Sequence, residues 1–147
     1  LYFSPDLIHL DLYDNMTVIE AKYWAKHKPL PTIFEEIPIE YVVQVYIQLL
    51  VSGATKALLI MLRTNKNEYE CVTFLFVPFL YLKKLSPLYH IYIFQNMLEL
   101  ADKGERDSPQ FLDYLSQYYN LPALTHGDFD NVFHYVYALD PNKNFLY

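Results

Sequence analysis

Residues 37–53 read IPIEYVVQVYIQLLVSG, and this stretch decides the fold class. Its apolar side chains recur at the spacing of an α-helix, at Ile39, Val42, Val43, Tyr46 and Leu50. Polar side chains form a row along it at i, i+4 and i+8, namely Glu40, Gln44 and Gln48. Pro38 suits the first helical position, where its missing N–H costs nothing, and Ser52-Gly53 suits the end. The pattern predicts one amphipathic helix from Pro38 to Ser52.

A β-hairpin is predicted on each side of this helix, from runs of β-branched and aromatic residues that flank turn residues. The earlier hairpin consists of a strand Leu1 to Leu12 broken by Pro5, a turn at Asp14-Asn15, and a strand Thr17 to Trp24. Residues 25–37, with Pro29 and Pro31, form a loop. The later hairpin consists of a strand Lys56 to Arg63, a turn at Asn65-Lys66-Asn67, and a strand Tyr69 to Val77.

The rest of the chain is predicted to be helical and then irregular. A helix spans Phe79 to Lys103, is reset at Ser86-Pro87, and ends at Gly104. A shorter helix begins at Ser108-Pro109 and ends near Tyr119. The order ββαββα predicts a mixed α/β core over residues 1–104, and residues 105–147 form a packed, mostly helical or irregular extension. Because the chain opens on Leu1, we expect elements that precede the first strand to be missing.

Composition excludes several classes of protein. The 147 residues are 53% apolar, which argues against general disorder, and the lone Cys71 has no partner for an internal disulfide. The net charge of −6 argues against nucleic-acid binding by bulk positive charge, so such binding needs a local basic patch or metal ions. The longest apolar run, Ala57 to Leu62, is far shorter than the roughly 20 residues of a membrane span. Asp6 and His9 interrupt any signal peptide, so we expect an intracellular protein that is neither secreted nor membrane-bound.

Asp6, Glu20 and Lys22 form the sharpest chemical pattern. Glu20 and Lys22 are two residues apart on a predicted strand, so they project from one face, and the hairpin brings Asp6 near them. Two converging carboxylates repel each other unless a cation lies between them or one is protonated, and Mg²⁺ or Mn²⁺ prefers such oxygen ligands. A neighbouring lysine orients a water or stabilises charge on a phosphoryl oxygen. The alternative is structural, because Glu-x-Lys is common on strands and Asp after Pro often starts a turn.

A local basic cluster follows this pattern. Lys22, Lys26, His27 and Lys28 lie close together in the chain, with Trp24 among them. Such a cluster is typical of a surface that guides a phosphate backbone while an aromatic ring stacks on a base. A solvated loop explains the same residues equally well.

A second polar cluster, consisting of His126, Asp128, Asp130 and His134, lies near the C-terminus. If residues 131–137 were helical, Asp130 and His134 would share one face. No fixed metal-binding motif is matched, so an ordinary polar loop is the preferred interpretation.

Residues 5–60 resemble the PD-(D/E)xK nuclease superfamily, and within it the YqaJ-type viral recombinase and lambda-exonuclease branch. The resemblance depends on an ordered series of segments: Ser4-Pro5-Asp6, Val18-Ile19-Glu20-Ala21-Lys22, the helix 37–53, and the strand Ala57-Leu58-Leu59-Ile60. It implies a restriction-endonuclease-like mixed sheet flanked by helices. It also implies that Asp6, Glu20 and the Ala21 carbonyl bind Mg²⁺ or Mn²⁺, that Lys22 positions the attacking water, and that Gln44 braces the site.

The function implied by this resemblance is metal-dependent hydrolysis of DNA phosphodiesters, exonuclease-like, in recombination, repair or viral DNA processing. Many members of the superfamily carry a further acidic residue on an upstream helix. Because Asp6 is so near the start of this chain, we expect an upstream segment or a partner chain to complete the fold, and a homo-oligomer is a further expected form of assembly. Two alternatives remain open: a catalytically inactive, structural or binding relative, and a cap-snatching-type viral RNA endonuclease, whose Asp and Glu-x-Lys spacing is similar.

Overall fold

The helix predicted from residues 37–53 is present as α1, Ile39–Ser52, in a computed structural model that describes residues 5–24, 28–80 and 124–140. Pro38 caps this helix, and its carbonyl accepts the N–H groups of Tyr41 and Val42 at 2.9 and 3.3 Å. The helix therefore begins one residue later than predicted. At the other end, Gly53 has a left-handed φ of 68° and donates its N–H to the Leu49 carbonyl at 3.0 Å.

The described strands form a single five-stranded mixed sheet in the order β1-β2-β3-β4-β5. They are β1 (Leu7–Leu10), β2 (Met16–Tyr23), β3 (Lys56–Asn65), β4 (Glu68–Pro78) and β5 (Phe133–Ala138). Neighbouring strands are antiparallel except β2 and β3, which are parallel and joined through α1. A parallel pair requires a long crossover, and a helix is the usual one. The α/β class predicted from the sequence is confirmed.

Both predicted hairpins are present. In the first, Leu7 pairs with Ile19 and Leu10 with Met16, and Asp14 takes the positive φ of 62° that its turn needs. In the second, Asn65 pairs with Glu68 across a two-residue turn, Lys66-Asn67, with φ values of 50° and 68°.

The side chains of β2 alternate between the two faces of the sheet. Val18 faces α1 and belongs to the main core, which α1 forms with the central strands and which contains Tyr46, Leu59, Phe74 and Phe76. Ile19 faces the other way and packs with Leu58 and Leu75. Because side chains two apart share a face, Glu20 and Lys22 lie on the α1 side of the sheet. This alternation positions the candidate site.

The C-terminal region differs from its prediction. Residues Phe133–Ala138 form β5, which pairs with β4 from Phe74↔Ala138 to Pro78↔Phe133, so helical or irregular structure was wrong there. Within this region Phe129 and Phe133 are buried, whereas Tyr135 and Tyr137 are exposed. Most of the predicted helix from Phe79 and all of the one from Ser108 lie outside the described residues. Across the described ranges, no helix has the length and apolarity to cross a membrane.

Replacing Gly53 by alanine tests the helix end. Within the described ranges, no atom beyond its own helix backbone and chain neighbours lies within 4 Å of an added Cβ, so the left-handed backbone, with φ +68°, is what opposes the change. We expect Gly53→Ala to lower the free energy of unfolding by about 1 kcal/mol, measured by urea denaturation. Gly127→Ala is the matched control, because its nearest contact is an ordinary 3.8 Å to Thr125 Oγ1 and no left-handed φ is required. Equal losses for the two variants would contradict this account.

Candidate metal centre on the first hairpin

Glu20 is a nearly buried carboxylate at the centre of the candidate site, with 9% of its surface exposed. It projects from β2 toward α1, where Gln48 is also nearly buried. The Gln48 side-chain amide donates to Glu20 Oε2 at 2.7 Å. A buried carboxylate without such a donor would be strongly destabilising, so this hydrogen bond fixes both side chains.

Lys22 supplies the positive charge beside Glu20. Its Nζ lies 3.5 Å from Glu20 Oε1, and both side chains are about nine-tenths covered, with 13% and 12% exposed. The same ammonium group lies 5.4 Å from the ring centroid of Tyr41, on the first turns of α1. The predicted arrangement of Glu20 and Lys22 on one face is thus observed, and the helix supplies an aromatic surface beneath the lysine.

Asp6 lies just before β1 begins, on the neighbouring segment of the hairpin. Its Oδ2 accepts the backbone N–H of Ala21 at 2.7 Å. Continuing the register from Leu7↔Ile19 by one residue sets Asp6 across from Glu20. The hairpin therefore brings Asp6 beside the Glu-x-Lys strand, as the sequence predicted.

Strand geometry also gives the direction of the Ala21 carbonyl. The N–H and C=O of one residue point to the same neighbouring strand, and those of the next residue point the other way. The Trp24 N–H donates to the Leu62 carbonyl on β3, so the backbone N–H and C=O groups of nearby even-numbered residues point toward β3. The backbone groups of Ala21 point the other way, toward β1. The carbonyl predicted as a third ligand is consequently on the same edge as the Asp6 carboxylate.

These groups provide oxygen atoms of the kind that Mg²⁺ and Mn²⁺ bind. An ionised carboxylate has about four lone-pair positions, so Glu20 retains acceptor capacity beside its contacts with Gln48 and Lys22. Among the described residues, no three Asp, Glu, His or Cys side chains form a cluster that could hold a metal ion. A divalent ion here would therefore depend on two side-chain carboxylates, a backbone carbonyl, and water or substrate oxygens.

The donor to Glu20 is a residue that sequence reasoning did not select. Gln44 was predicted to brace the site, whereas the hydrogen bond to Glu20 comes from Gln48, one turn later in α1. Both belong to the polar row that the helical spacing revealed, and Gln44 is half-buried in it. Helical periodicity identifies the row but not which member meets β2, because this depends on the length and angle of the crossover. The role of Gln44 stays a prediction.

The basic cluster is only partly described. Lys26 and His27 lie outside the described residues, and Lys28 is exposed. Trp24 is 5% exposed and donates its indole N–H to the Lys28 carbonyl at 3.0 Å. As folded, Trp24 belongs to the core and is not placed to stack on a base, which corrects the role predicted for it. The neighbouring Tyr23, 66% exposed, presents an accessible ring instead.

In the second polar cluster, His126 and Asp128 make hydrogen bonds that stabilise the fold. His126 Nε2 donates to the Ile37 carbonyl at 2.6 Å, so that ring nitrogen carries the proton. Asp128 caps its own turn by accepting the Thr125 N–H at 2.8 Å. His134 lies on a strand rather than a helix and therefore does not share a helical face with Asp130. The preference for an ordinary polar cluster agrees with these contacts.

Comparisons with protein-family models, with curated proteins and with solved structures find no match to this chain.

The hydrogen bond between Gln48 and Glu20 can be measured by a double-mutant cycle. We expect Gln48→Leu to lower the free energy of unfolding by about 1–3 kcal/mol, because it leaves a buried carboxylate oxygen without its donor. In a Glu20→Leu background the same substitution is expected to cost at least about 0.5 kcal/mol less, since no acceptor remains. Additive effects in urea denaturation would show that the two side chains are not energetically coupled.

Proposed function

We propose that this chain is a metal-dependent nuclease of the PD-(D/E)xK type that hydrolyses DNA phosphodiester bonds. The observation that carries the proposal is that Asp6 accepts the backbone N–H of Ala21, the residue after Glu20, while Lys22 pairs with Glu20 on the same strand. Glu20 and Lys22 lie on β2 and Asp6 immediately precedes β1, so the pairing of β1 with β2 brings these two segments side by side. The order hairpin, helix and parallel strand also agrees with the resemblance noted in the sequence.

In this proposal the carboxylates of Asp6 and Glu20 and the carbonyl of Ala21 hold Mg²⁺ or Mn²⁺. The ion, when bound, would polarise the scissile phosphate and lower the pKa of an attacking water. Gln48 keeps the Glu20 carboxylate fixed, so the ligand does not have to be ordered when the ion arrives.

Lys22 has two functions in the proposed reaction. Paired with Glu20, it offsets the negative charge of a buried carboxylate while the site is empty of substrate. With a cation held at Glu20, the ammonium group of Lys22 would turn toward the phosphate and orient the attacking water. The ring of Tyr41 lies 5.4 Å from this ammonium group and gives it a cation–π contact on α1. The short, exposed segment at Lys28 would lie along the backbone of the substrate.

Cleavage assays test the proposal directly. The full chain is incubated with Mg²⁺ or Mn²⁺ and with end-labelled linear duplex DNA, circular duplex DNA, single-stranded DNA or single-stranded RNA. We expect cleavage of DNA that EDTA abolishes, and a loss of roughly 100-fold or more in Asp6→Asn, Glu20→Gln and Lys22→Ala. Linear-only cleavage identifies an exonuclease, and preference for RNA would favour the cap-snatching alternative.

Matched variants control for charge and for contaminating nucleases. Asp14→Asn removes a carboxylate from the tip of the same hairpin, and Lys66→Asn removes an ammonium group from the turn of the other hairpin. Both positions have positive φ, which Asn accepts, so neither change strains the backbone. We expect both control variants to retain wild-type cleavage. Cleavage that is the same in wild type, site variants and controls would refute the proposal.

A second candidate function, a non-catalytic relative that keeps the fold, is favoured by one observation. Glu20 Oε2 accepts a hydrogen bond from Gln48 and Glu20 Oε1 pairs with Lys22, so the charge of this buried carboxylate is compensated without a cation. Calorimetric titration with Mn²⁺ separates the candidates. Saturable binding that Asp6→Asn removes supports the nuclease, whereas a folded chain that binds no Mn²⁺ and cleaves nothing supports the second candidate.

A further inference from the structure

A second site lies at the far edge of the sheet from the candidate metal centre. A cavity of about 560 Å³ opens between the short 3₁₀ turn Phe34–Glu36 and β5. Its volume is in the range of small-ligand sites. None of the residues argued above to form the candidate metal centre lines it.

The walls of the cavity are aromatic and fixed in place. Phe34 packs edge-on against Phe133, with ring centroids 6.4 Å apart, and against His126 at 5.0 Å. Phe133 in turn stacks on Phe129 at 5.6 Å. The hydrogen bond from His126 to the Ile37 carbonyl ties the 3₁₀ turn to the segment before β5. Tyr137, 46% exposed, presents an accessible ring on β5.

The charged groups on this cavity are acidic. Glu35 and Asp130 both line it, the first from the 3₁₀ turn and the second from the segment before β5, and both are exposed. In the part of the chain that the structure describes, neither carboxylate accepts a hydrogen bond or forms an ion pair, and no Lys or Arg lines the cavity. Negative potential above aromatic rings attracts a cation, since the ring faces carry negative charge as well.

The residues that line the cavity favour an organic cation over a metal ion. Glu35, Asp130 and His134 all line the cavity, yet within the described ranges no such set is close enough to share a metal ion. A compact metal ion also gains little from apolar walls. An organic cation with an apolar stem satisfies both features, because the stem covers the walls while the charged head meets the carboxylates.

We propose that the cavity between Phe34–Glu36 and β5 binds an organic cation, an ammonium or guanidinium group on a short apolar stem. The charge is met by Glu35 and Asp130, and the stem contacts the rings of Phe34 and Tyr137. The cation is either a free small molecule or the side chain of a Lys or Arg in another protein. This proposal does not depend on nuclease activity, because the cavity lies apart from Asp6, Glu20 and Lys22.

Methyl NMR titration of the full chain with n-butylguanidinium tests the proposal. We expect saturable shifts of the methyl groups of Val136 and Ala138, which line the cavity. The neutral isostere n-butylurea is expected to bind about tenfold more weakly or not at all. A capped tripeptide with a central arginine distinguishes the source: tighter binding than n-butylguanidinium indicates a protein side chain, and equal or weaker binding a free small molecule.

Variants separate a local site from general attraction to an acidic protein. We expect the double variant Glu35→Gln/Asp130→Asn to weaken n-butylguanidinium binding about tenfold. The control Asp14→Asn/Glu68→Gln changes the net charge equally but at exposed positions in or next to the two hairpin turns, and it should bind as the wild type does. Equal weakening in both double variants, equal binding of n-butylurea, or no saturable shift at these methyl groups would overturn the proposal.

Discussion

The burial of the Glu20 carboxylate between β2 and α1 is the constraint on which the rest of this structure depends. A nearly buried charge is tolerated only with a hydrogen-bond donor and a counter-charge, and Gln48 and Lys22 provide them at 2.7 and 3.5 Å. The donor comes from the crossover helix, and the counter-charge comes from the same strand. The position of α1 over the sheet and the chemistry of the hairpin are thus linked through a single side chain.

This linkage explains why the fold and the candidate site cannot be separated. Replacing Glu20 by an apolar residue would suit the surrounding core, which includes Val18, Leu59 and Met61. Buried ion pairs contribute little net stability compared with well-packed apolar side chains. The pair therefore adds little net stability, and in the proposed nuclease its role is to hold Glu20 in place as a ligand.

Much of the fold was predictable because local patterns specify it. The helical spacing of apolar residues over 39–50 specifies α1. The turn residues Asp14 and Lys66-Asn67 specify the two hairpins. The juxtaposition of Asp6 with Glu20 followed from hairpin pairing, which also depends on near neighbours. β5 was missed because it pairs with β4 across a separation of more than 50 residues, and its sequence FHYVYA does not alternate cleanly.

Two features of the site required the tertiary structure. The choice of Gln48 as donor depends on how far α1 slides along β2, which periodicity does not determine. Trp24 lies among lysines in the sequence, yet its ring reaches the core because the Lys28 carbonyl satisfies its N–H. The cavity lined by Glu35 and Asp130 joins segments that are almost 100 residues apart in the chain.

The most direct measurement is anomalous diffraction from crystals of the full chain grown with Mn²⁺. The account predicts one strong peak at coordination distance from a carboxylate oxygen of Asp6, a carboxylate oxygen of Glu20 and the Ala21 carbonyl, with Lys22 turned away from Glu20. A map without manganese there, in which Lys22 still contacts Glu20 and Asp6 still accepts only the Ala21 amide, would contradict it.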